Sequence, residues 1–249
     1  MREYKILTKY LLPLMLQIAT IAFITFIMKS TGMETGYNNI IGIALIVLSG
    51  SSSALWGILY QCRYNRKHLS EIISDFINVR QSIKSYLLVI MLLLIDFGQV
   101  IINKGFYAEN LWLPILLFLN AIAFGGIEEI GWRYTFQPSI ERKITYIPAV
   151  LITFVCWGIW HFLFFYIEGS ISSVNIPFFL LGLLTNCFIL SALYARSGSL
   201  WICVMTHALI NALSQIAVAD NPRVSIPLKI VCMILAVGLC RKKYTASNS

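Results

Sequence analysis

The sequence predicts an all-α protein, a polytopic bundle of about eight transmembrane helices with both termini in the cytoplasm. Three observations predict this fold class. Hydrophobic residues make up 58% of the chain and charged residues only 12%, whereas soluble domains carry about 25% charged residues. The apolar residues fall into runs of about 20, which is the length of a helix that spans a bilayer. The basic residues are distributed unevenly between alternate loops.

The apolar runs place the predicted spans along the chain. They cover roughly residues 9–28, 39–61, 85–102, 111–136, 148–166, 176–195, 198–219 and 225–240. The first is interpreted as a retained helix, because no small-residue cleavage site follows it before Lys29. With the N-terminus inside, the outer loops hold few of the 19 Lys and Arg residues, namely Lys29, Lys104, Arg223 and Lys229. This positive-inside bias supports the orientation.

The rest of the composition argues against other protein classes. The net charge of +8 forms no basic patch, so no nucleic-acid partner is predicted. The six cysteines have no CxxC spacing, which indicates neither a disulfide framework nor a zinc–cysteine site. The loop 62–84 has apolar residues near helical spacing and predicts a linker helix or an amphipathic helix on the membrane. Residues 1–249 are predicted to form a single integral-membrane domain.

Few ionisable or amide side chains lie deep in the predicted spans. A charged group in lipid is costly unless it is paired or faces water, so each is a functional candidate. The candidates are Asp96, Glu128, Glu129, Arg133, His161 and His207, with Asn120, Asn186 and Asn211. Asp96 has Gln99 nearby and is predicted to face either the same cavity as the others or a helix partner.

The fourth span contains the stretch "GGIEEIGWRY", residues 125–134. Residues four apart share a helix face, so Glu129 and Arg133 are expected to pair. Glu128 lies about 100° round the helix and lacks that partner. A carboxylate without an ionic partner is suited to general acid–base work. The alternative at this point is a helix-packing ion pair with an accidental acidic neighbour.

Two further spans contribute polar groups at a similar depth. His161 lies in "WGIWHFLFF", and His207 shares a helix face with Asn211. Counted from the predicted cytoplasmic helix ends at 1.5 Å per residue, Glu128, His161 and His207 lie about 15, 20 and 14 Å deep. Helix–helix hydrogen bonding remains the alternative for each residue alone, but agreement in depth favours one shared site.

These side chains meet the minimum requirement for peptide hydrolysis. A carboxylate and a histidine can hold and deprotonate a water, and a histidine with an asparagine can donate to an oxyanion. Glutamate and two histidines are also legitimate zinc ligands. Because no HExxH helix is present, a metal-free site without a cofactor is favoured over a metal site. Serine catalysis lacks a GxSxG motif. Cysteine catalysis needs a thiolate activated by a histidine; Cys203, four residues before His207, leaves it open, but nothing in the sequence favours it.

Three ordered motifs resemble a known family. They are EExxxR at Glu128–Glu129–Arg133, an aromatic-xxx-His at Trp157–His161, and HxxxN at His207–Asn211. This set is similar to the CAAX protease and bacteriocin-processing family, also called the Abi family. The resemblance covers roughly residues 111–215, which would form the catalytic core. The second motif of the family commonly begins with phenylalanine, where this chain has Trp157.

The resemblance implies an intramembrane protease of glutamate type in an eight-helix bundle. Glu128 and His161 would activate water, His207 and Asn211 would form the oxyanion hole, and Glu129 and Arg133 would support the site. The substrate would be a membrane-associated peptide or protein at a bacterial cell membrane, in peptide maturation, bacteriocin processing, self-immunity or membrane-sensor regulation. The alternatives are a non-catalytic immunity or partner-binding protein and a small transporter with a proton relay.

Overall fold

The computed structural model describes residues 5–103, 105–218 and 221–246, apart from the side chains of 241–246. The described residues are almost wholly helical, with an isolated antiparallel bridge between Phe106 and Ala217. The all-α prediction is therefore confirmed. Among the described residues, Cys62, Cys156, Cys187, Cys203 and Cys232 are free thiols.

Eleven helices follow one another in the described part of the chain. They are α1 (Leu7–Ser30), α2 (Ile40–Gly50), α3 (Ser52–Tyr64), α4 (Leu69–Ile77), α5 (Ile83–Asp96), α6 (Gly98–Ile102), α7 (Leu113–Glu141), α8 (Tyr146–Glu168), α9 (Ile176–Ser197), α10 (Leu200–Ile216) and α11 (Pro222–Ala246). Short 3-10 turns lie at Gly36–Asn38 and Ile171–Ser173.

The membrane-length helices confirm a polytopic bundle. Among the described residues, α1, α7, α8, α9 and α11 are long and apolar enough to cross a bilayer, and α2 with α3 forms a sixth candidate bent by 43°. The other two predicted spans are helical but short. Helix α5 has 14 residues and ends before Phe97, and α10 has 17 residues. Among the described residues, five or six of the eight predicted spans are therefore helices of membrane-spanning length.

The predicted orientation involves residues that the structure does not describe. Both termini were expected in the cytoplasm, and residues 1–4 and 247–249 lie outside the described residues, as does Lys104 of the predicted outer loop. The orientation stays a prediction. The predicted linker helix is present as α4, with Ile72 buried and Leu69, Ile73 and Ile77 exposed.

Small residues allow α7 to approach α3 closely, as the "SGSSSA" stretch at 49–54 predicts. A Cβ on Gly57 of α3 would lie 2.9 Å from the main-chain oxygen of Ile130. A Cβ on Gly131 of α7 would lie 2.5 Å from the main-chain oxygen of Ser53. Helix α7 also packs against α10. It thus occupies the position from which its acidic pair reaches several helices.

Helix α7 is irregular around the acidic pair. The turns Ile122–Gly126 and Trp132–Phe136 are π-helical, and Glu128–Gly131 between them is α-helical. A π turn adds a residue to the helical repeat and changes the face on which the following side chains lie, and such turns are frequent at functional sites. The first turn therefore changes the directions of the Glu128 and Glu129 side chains relative to the start of α7, and the second changes the face on which the rest of α7 lies.

Candidate active site

Glu128 is buried, with 6% of its surface exposed. The indole Nε1 of Trp157 donates to its Oε2 over 2.7 Å, and the Nε2 of His161 lies 4.0 Å from the same oxygen. The hydroxyl of Ser53 on α3 donates to the Glu128 main-chain oxygen over 3.1 Å. Trp157 of α8 thus holds the carboxyl group, and Ser53 of α3 holds the main chain of the same residue. The imidazole of His161 lies within reach of one bridging water.

Glu129 lies between two basic side chains. Its Oε1 is 3.5 Å from Nη1 of Arg133, so the expected ion pair is confirmed. The same oxygen is hydrogen-bonded to Nδ1 of His207 over 2.8 Å, which was not expected. The carboxyl group therefore links α7 to α10. A buried acidic group with two cationic or donor partners orients both of them.

Arg133 is buried and contacts three side chains. Besides Glu129, its guanidinium stacks 4.2 Å from the ring centre of Trp157. Its Nη2 donates to the Sγ of Cys187 on α9 over 3.4 Å. Planar guanidinium groups favour such stacking on indole rings. Arg133 consequently fixes the Trp157 ring that donates to Glu128.

The indole of Trp157 separates the two histidines. Its ring centre lies 5.2 Å from that of His161 and 5.4 Å from that of His207. His161 also packs against Phe179 of α9 at 5.3 Å and Trp160 at 5.0 Å. These rings exclude bulk water from the imidazoles, and a low local dielectric strengthens the polar contacts made there.

Asn211 and His207 converge on the main chain at Gly125. A Cβ built on Gly125 would lie 2.5 Å from Nδ2 of Asn211 and 3.3 Å from Nε2 of His207. Only a glycine leaves this approach free. Since Nδ1 of His207 is bound by Glu129, the Nε2 atom is the one presented beside the asparagine amide. The predicted shared face of these two residues therefore points at a common position.

Several buried polar atoms of the cluster have no protein hydrogen-bond partner within the described residues. They are Oε2 of Glu129, Nδ1 of His161, and Nε and Nη1 of Arg133. Buried polar groups are normally satisfied, so these atoms have capacity for water or substrate. In the same described part, no three His, Cys, Asp or Glu side chains converge as a metal-binding group. To bind a metal ion, the side chains of Glu128, His161 and His207 would have to rearrange.

Some predicted polar residues lie elsewhere. Asp96 forms an ion pair with Lys229 of α11 over 2.7 Å. Asn120 is exposed and Asn186 is half-buried. The thiol of Cys203 donates to the main-chain oxygen of Leu190 over 3.5 Å, a packing contact typical of a structural cysteine.

Sequence reasoning missed three contributors to the cluster. The roles of Trp157 as a donor to Glu128 and of Cys187 and Ser53 as neighbours follow from contacts between distant helices. The close approach at Gly125 is one for which the sequence did carry a signal. Glycine in the stretch 125–131 and serine in the stretch 49–54 are small residues that permit close helix approach.

Comparison with known proteins agrees with this geometry. No curated protein matches the chain. Residues 110–213 match the family model described as type II CAAX prenyl endopeptidase Rce1-like, and this segment contains every residue of the three motifs. With its membrane-length helices the chain is an integral membrane protein, and this match suggests intramembrane protease activity. The resemblance seen in the motifs is confirmed over residues 110–213, which are similar to the type II CAAX prenyl endopeptidases described by that model.

Proposed function

We propose that the protein is an intramembrane endopeptidase that hydrolyses a membrane-associated peptide or protein with activated water. One observation carries the proposal. Two carboxyl–imidazole pairs lie side by side in a buried cluster, Glu128 with His161 at 4.0 Å and Glu129 with His207 at 2.8 Å. Buried ionisable groups at this density are expensive in a membrane, and a functional site is the usual reason for them.

The first pair is suited to activate the water. A water bound between Glu128 and His161 would give a proton to Glu128 while its oxygen attacks the carbonyl carbon of the substrate. Glu128 would then pass that proton to the leaving amine nitrogen as the carbon–nitrogen bond breaks. The hydrogen bond from Trp157 holds the carboxyl group in position throughout. No covalent enzyme intermediate is required.

The second pair is suited to stabilise the oxyanion. The carbonyl oxygen would gain negative charge beside Nε2 of His207 and Nδ2 of Asn211, both of which approach Gly125. For Nε2 to donate while Nδ1 binds Glu129, we infer an imidazolium whose charge Glu129 balances. Arg133 holds the other side of Glu129. Preorganised donors of this kind lower a barrier by about 3–4 kcal/mol each.

A metal-free reaction fits the way the ligands are distributed. Each carboxyl group is turned to a different imidazole, and Nδ1 of His207 is already occupied by Glu129. A catalytic zinc site would need three protein ligands around one point. Activation of water by Glu128 and His161 needs no such convergence.

We propose a bacterial role at the cell membrane, as a resemblance to the bacterial members of the family would imply. We propose maturation of a secreted peptide, bacteriocin processing with self-immunity, or regulation of a membrane sensor. In each role the partner is a peptide or protein already in or on the bilayer. Such a substrate could approach the buried cluster laterally through lipid.

The test is a comparison of membrane peptides from cells that carry the wild-type protein or Glu128→Gln. We expect substrate peptides to accumulate uncleaved in the variant and their products to disappear. Glu109→Gln removes a carboxylate from an exposed residue and is the matched control. A chelator should leave the wild-type pattern unchanged.

Two results would contradict the proposal. Identical peptide patterns in wild type and Glu128→Gln, with full biological function in both, would identify a non-catalytic immunity or partner protein. Loss of the products on chelation, with recovery on adding zinc, would replace the metal-free mechanism. Protein levels in the membrane fraction must match in all strains.

A further inference from the structure

A cavity with a largely apolar lining lies outside the two carboxyl–imidazole pairs. Its volume is about 410 Å³, and it is lined by residues of α5, α6, α9, α10 and α11. The size falls in the range of ligand sites, which are about 300–1,000 Å³. Its lining includes Asp96, Gln99, Phe178, Ser214, Ser225 and Lys229. Beside this cavity, Phe97 interrupts the helical run between α5 and α6.

The one acidic and one basic side chain that line this cavity neutralise each other, but two of its buried polar atoms make no hydrogen bond within the described residues. Asp96 and Lys229 pair over 2.7 Å. Gln99 and Ser225 are 1% and 6% exposed, and within the described residues Oε1 of Gln99 and Oγ of Ser225 have no partner. Leaving a buried polar group unsatisfied costs about 1–3 kcal/mol, so the two atoms indicate a ligand with matching groups.

Two helices that line the cavity also contribute residues to the candidate active site. Ser214 lies on the same face of α10 as His207 and Asn211, at the spacing of seven and three residues that repeats a helical face. On α9, Phe178 lines the cavity, and its neighbour Phe179 packs against the His161 ring at 5.3 Å. A molecule in the cavity would therefore extend towards the two imidazoles.

The chemistry selects an uncharged ligand with alternating donors and acceptors. A free cation or anion gains little from an acid and a base that already neutralise each other. Oε1 of Gln99 requires a donor, and the hydroxyl of Ser225 can donate to an acceptor. The main chain of an extended peptide offers both an N–H and a C=O, and its side chains can occupy the apolar part of the lining.

We propose that this cavity is a substrate subsite that binds peptide main chain through Gln99 and Ser225. From His207 to Ser214 the helix rises about 10 Å, which an extended peptide covers with about three residues at 3.3 Å each. The subsite would hold the substrate about three residues from the bond that is cleaved. This inference rests on the proposed function and adds a specificity site to it.

The experiment uses the full chain in membranes, with Glu128→Gln to retain substrate. The photo-crosslinking residue p-benzoylphenylalanine replaces Phe178 at the cavity or, as a control, Phe23 on α1, which is 62% exposed. Peptide adducts are identified by mass spectrometry after irradiation. We expect the crosslinking residue at position 178 to capture peptides that accumulate in the Glu128→Gln strain, whereas the same residue at position 23 should capture lipid.

Second-site variants then test the two polar groups. Gln99→Leu or Ser225→Ala should lower the peptide adducts about fivefold, as expected for one lost hydrogen bond. Gln215→Leu, at an exposed glutamine near the end of α10, should not lower them. Equal melting temperatures would show that the variants fold.

The outcomes separate this inference from the proposed function. Lipid adducts alone at Phe178, or equal capture with Gln99→Leu, Ser225→Ala and Gln215→Leu, would overturn the subsite even if the protein cleaves peptides. A different result is that the crosslinker captures, in a way that depends on Gln99, peptides that the wild type never cleaves. That result would support the subsite and overturn the protease proposal.

Discussion

Substitution of glutamine for the adjacent residues Glu128 and Glu129 should affect activity in one case and stability in the other. Glu129→Gln removes a charge that lies 2.8 Å from His207 and 3.5 Å from Arg133, all three groups being buried. Glu128→Gln removes a charge whose closest partner is the neutral indole of Trp157. We expect Glu129→Gln to damage the fold, and Glu128→Gln to abolish activity in an intact fold.

The magnitudes follow from these contacts. Removing one partner of a buried ion pair leaves the other uncompensated and costs about 3–5 kcal/mol. At about 2–4 °C per kcal/mol for a chain of this size, the melting temperature of Glu129→Gln should fall by about 6–20 °C. Glutamine at position 128 keeps an oxygen that accepts from Trp157, so the change there should stay within about 1 kcal/mol.

The assay is thermal unfolding in detergent with a thiol-reactive dye, read beside peptide cleavage. Cys187, Cys203 and Cys232 are free and buried, so the dye reports unfolding of the bundle. Glu109→Gln is the control for removal of a charge. Equal melting temperatures for the two variants would refute the assignment of Glu129 as the carboxylate that holds α7 to α10, and cleavage by Glu128→Gln would refute the role of Glu128.

Three further substitutions test the packing. Gly125→Ala should lower turnover about 10²–10³-fold at an unchanged melting temperature, because the methyl group would displace the neighbouring asparagine amide from the oxyanion position. Gly131→Ala should cost about 1–3 kcal/mol of stability through collision with α3, whereas Gly182→Ala, with no atom within 4 Å of the new Cβ, should not lower the melting temperature. Asp96→Asn should lower the melting temperature by leaving Lys229 unpaired, and Asp96→Leu with Lys229→Met should restore it; equal values for both would contradict this.

Local spacing predicted the parts of the site that lie within one helix. The Glu129–Arg133 pair follows from residues four apart, and the shared face of His207 and Asn211 follows from the same rule. Equal depth of the polar residues predicted that three spans meet. Depth is readable because a transmembrane helix rises by a constant amount per residue.

The span lengths were less predictable. A run of apolar residues does not reveal that α5 ends before Phe97, beside the part-buried ion pair of Asp96 and Lys229. Nor does it reveal the bend between α2 and α3 at Gly50 and Ser51. Both features depend on which neighbour satisfies the freed backbone and side-chain groups, and that neighbour is distant in sequence.

The sequence by itself determined an all-helical membrane bundle and predicted the six candidate site residues, because hydropathy and helical period are local properties. Only the tertiary structure decided the contacts of these residues. Glu129 turns to His207 and Glu128 turns to Trp157 because the π turn before them changes their directions and small residues let α3 and α10 approach α7. Helix rotation and separation arise from packing across the whole bundle, so no window of sequence contains them.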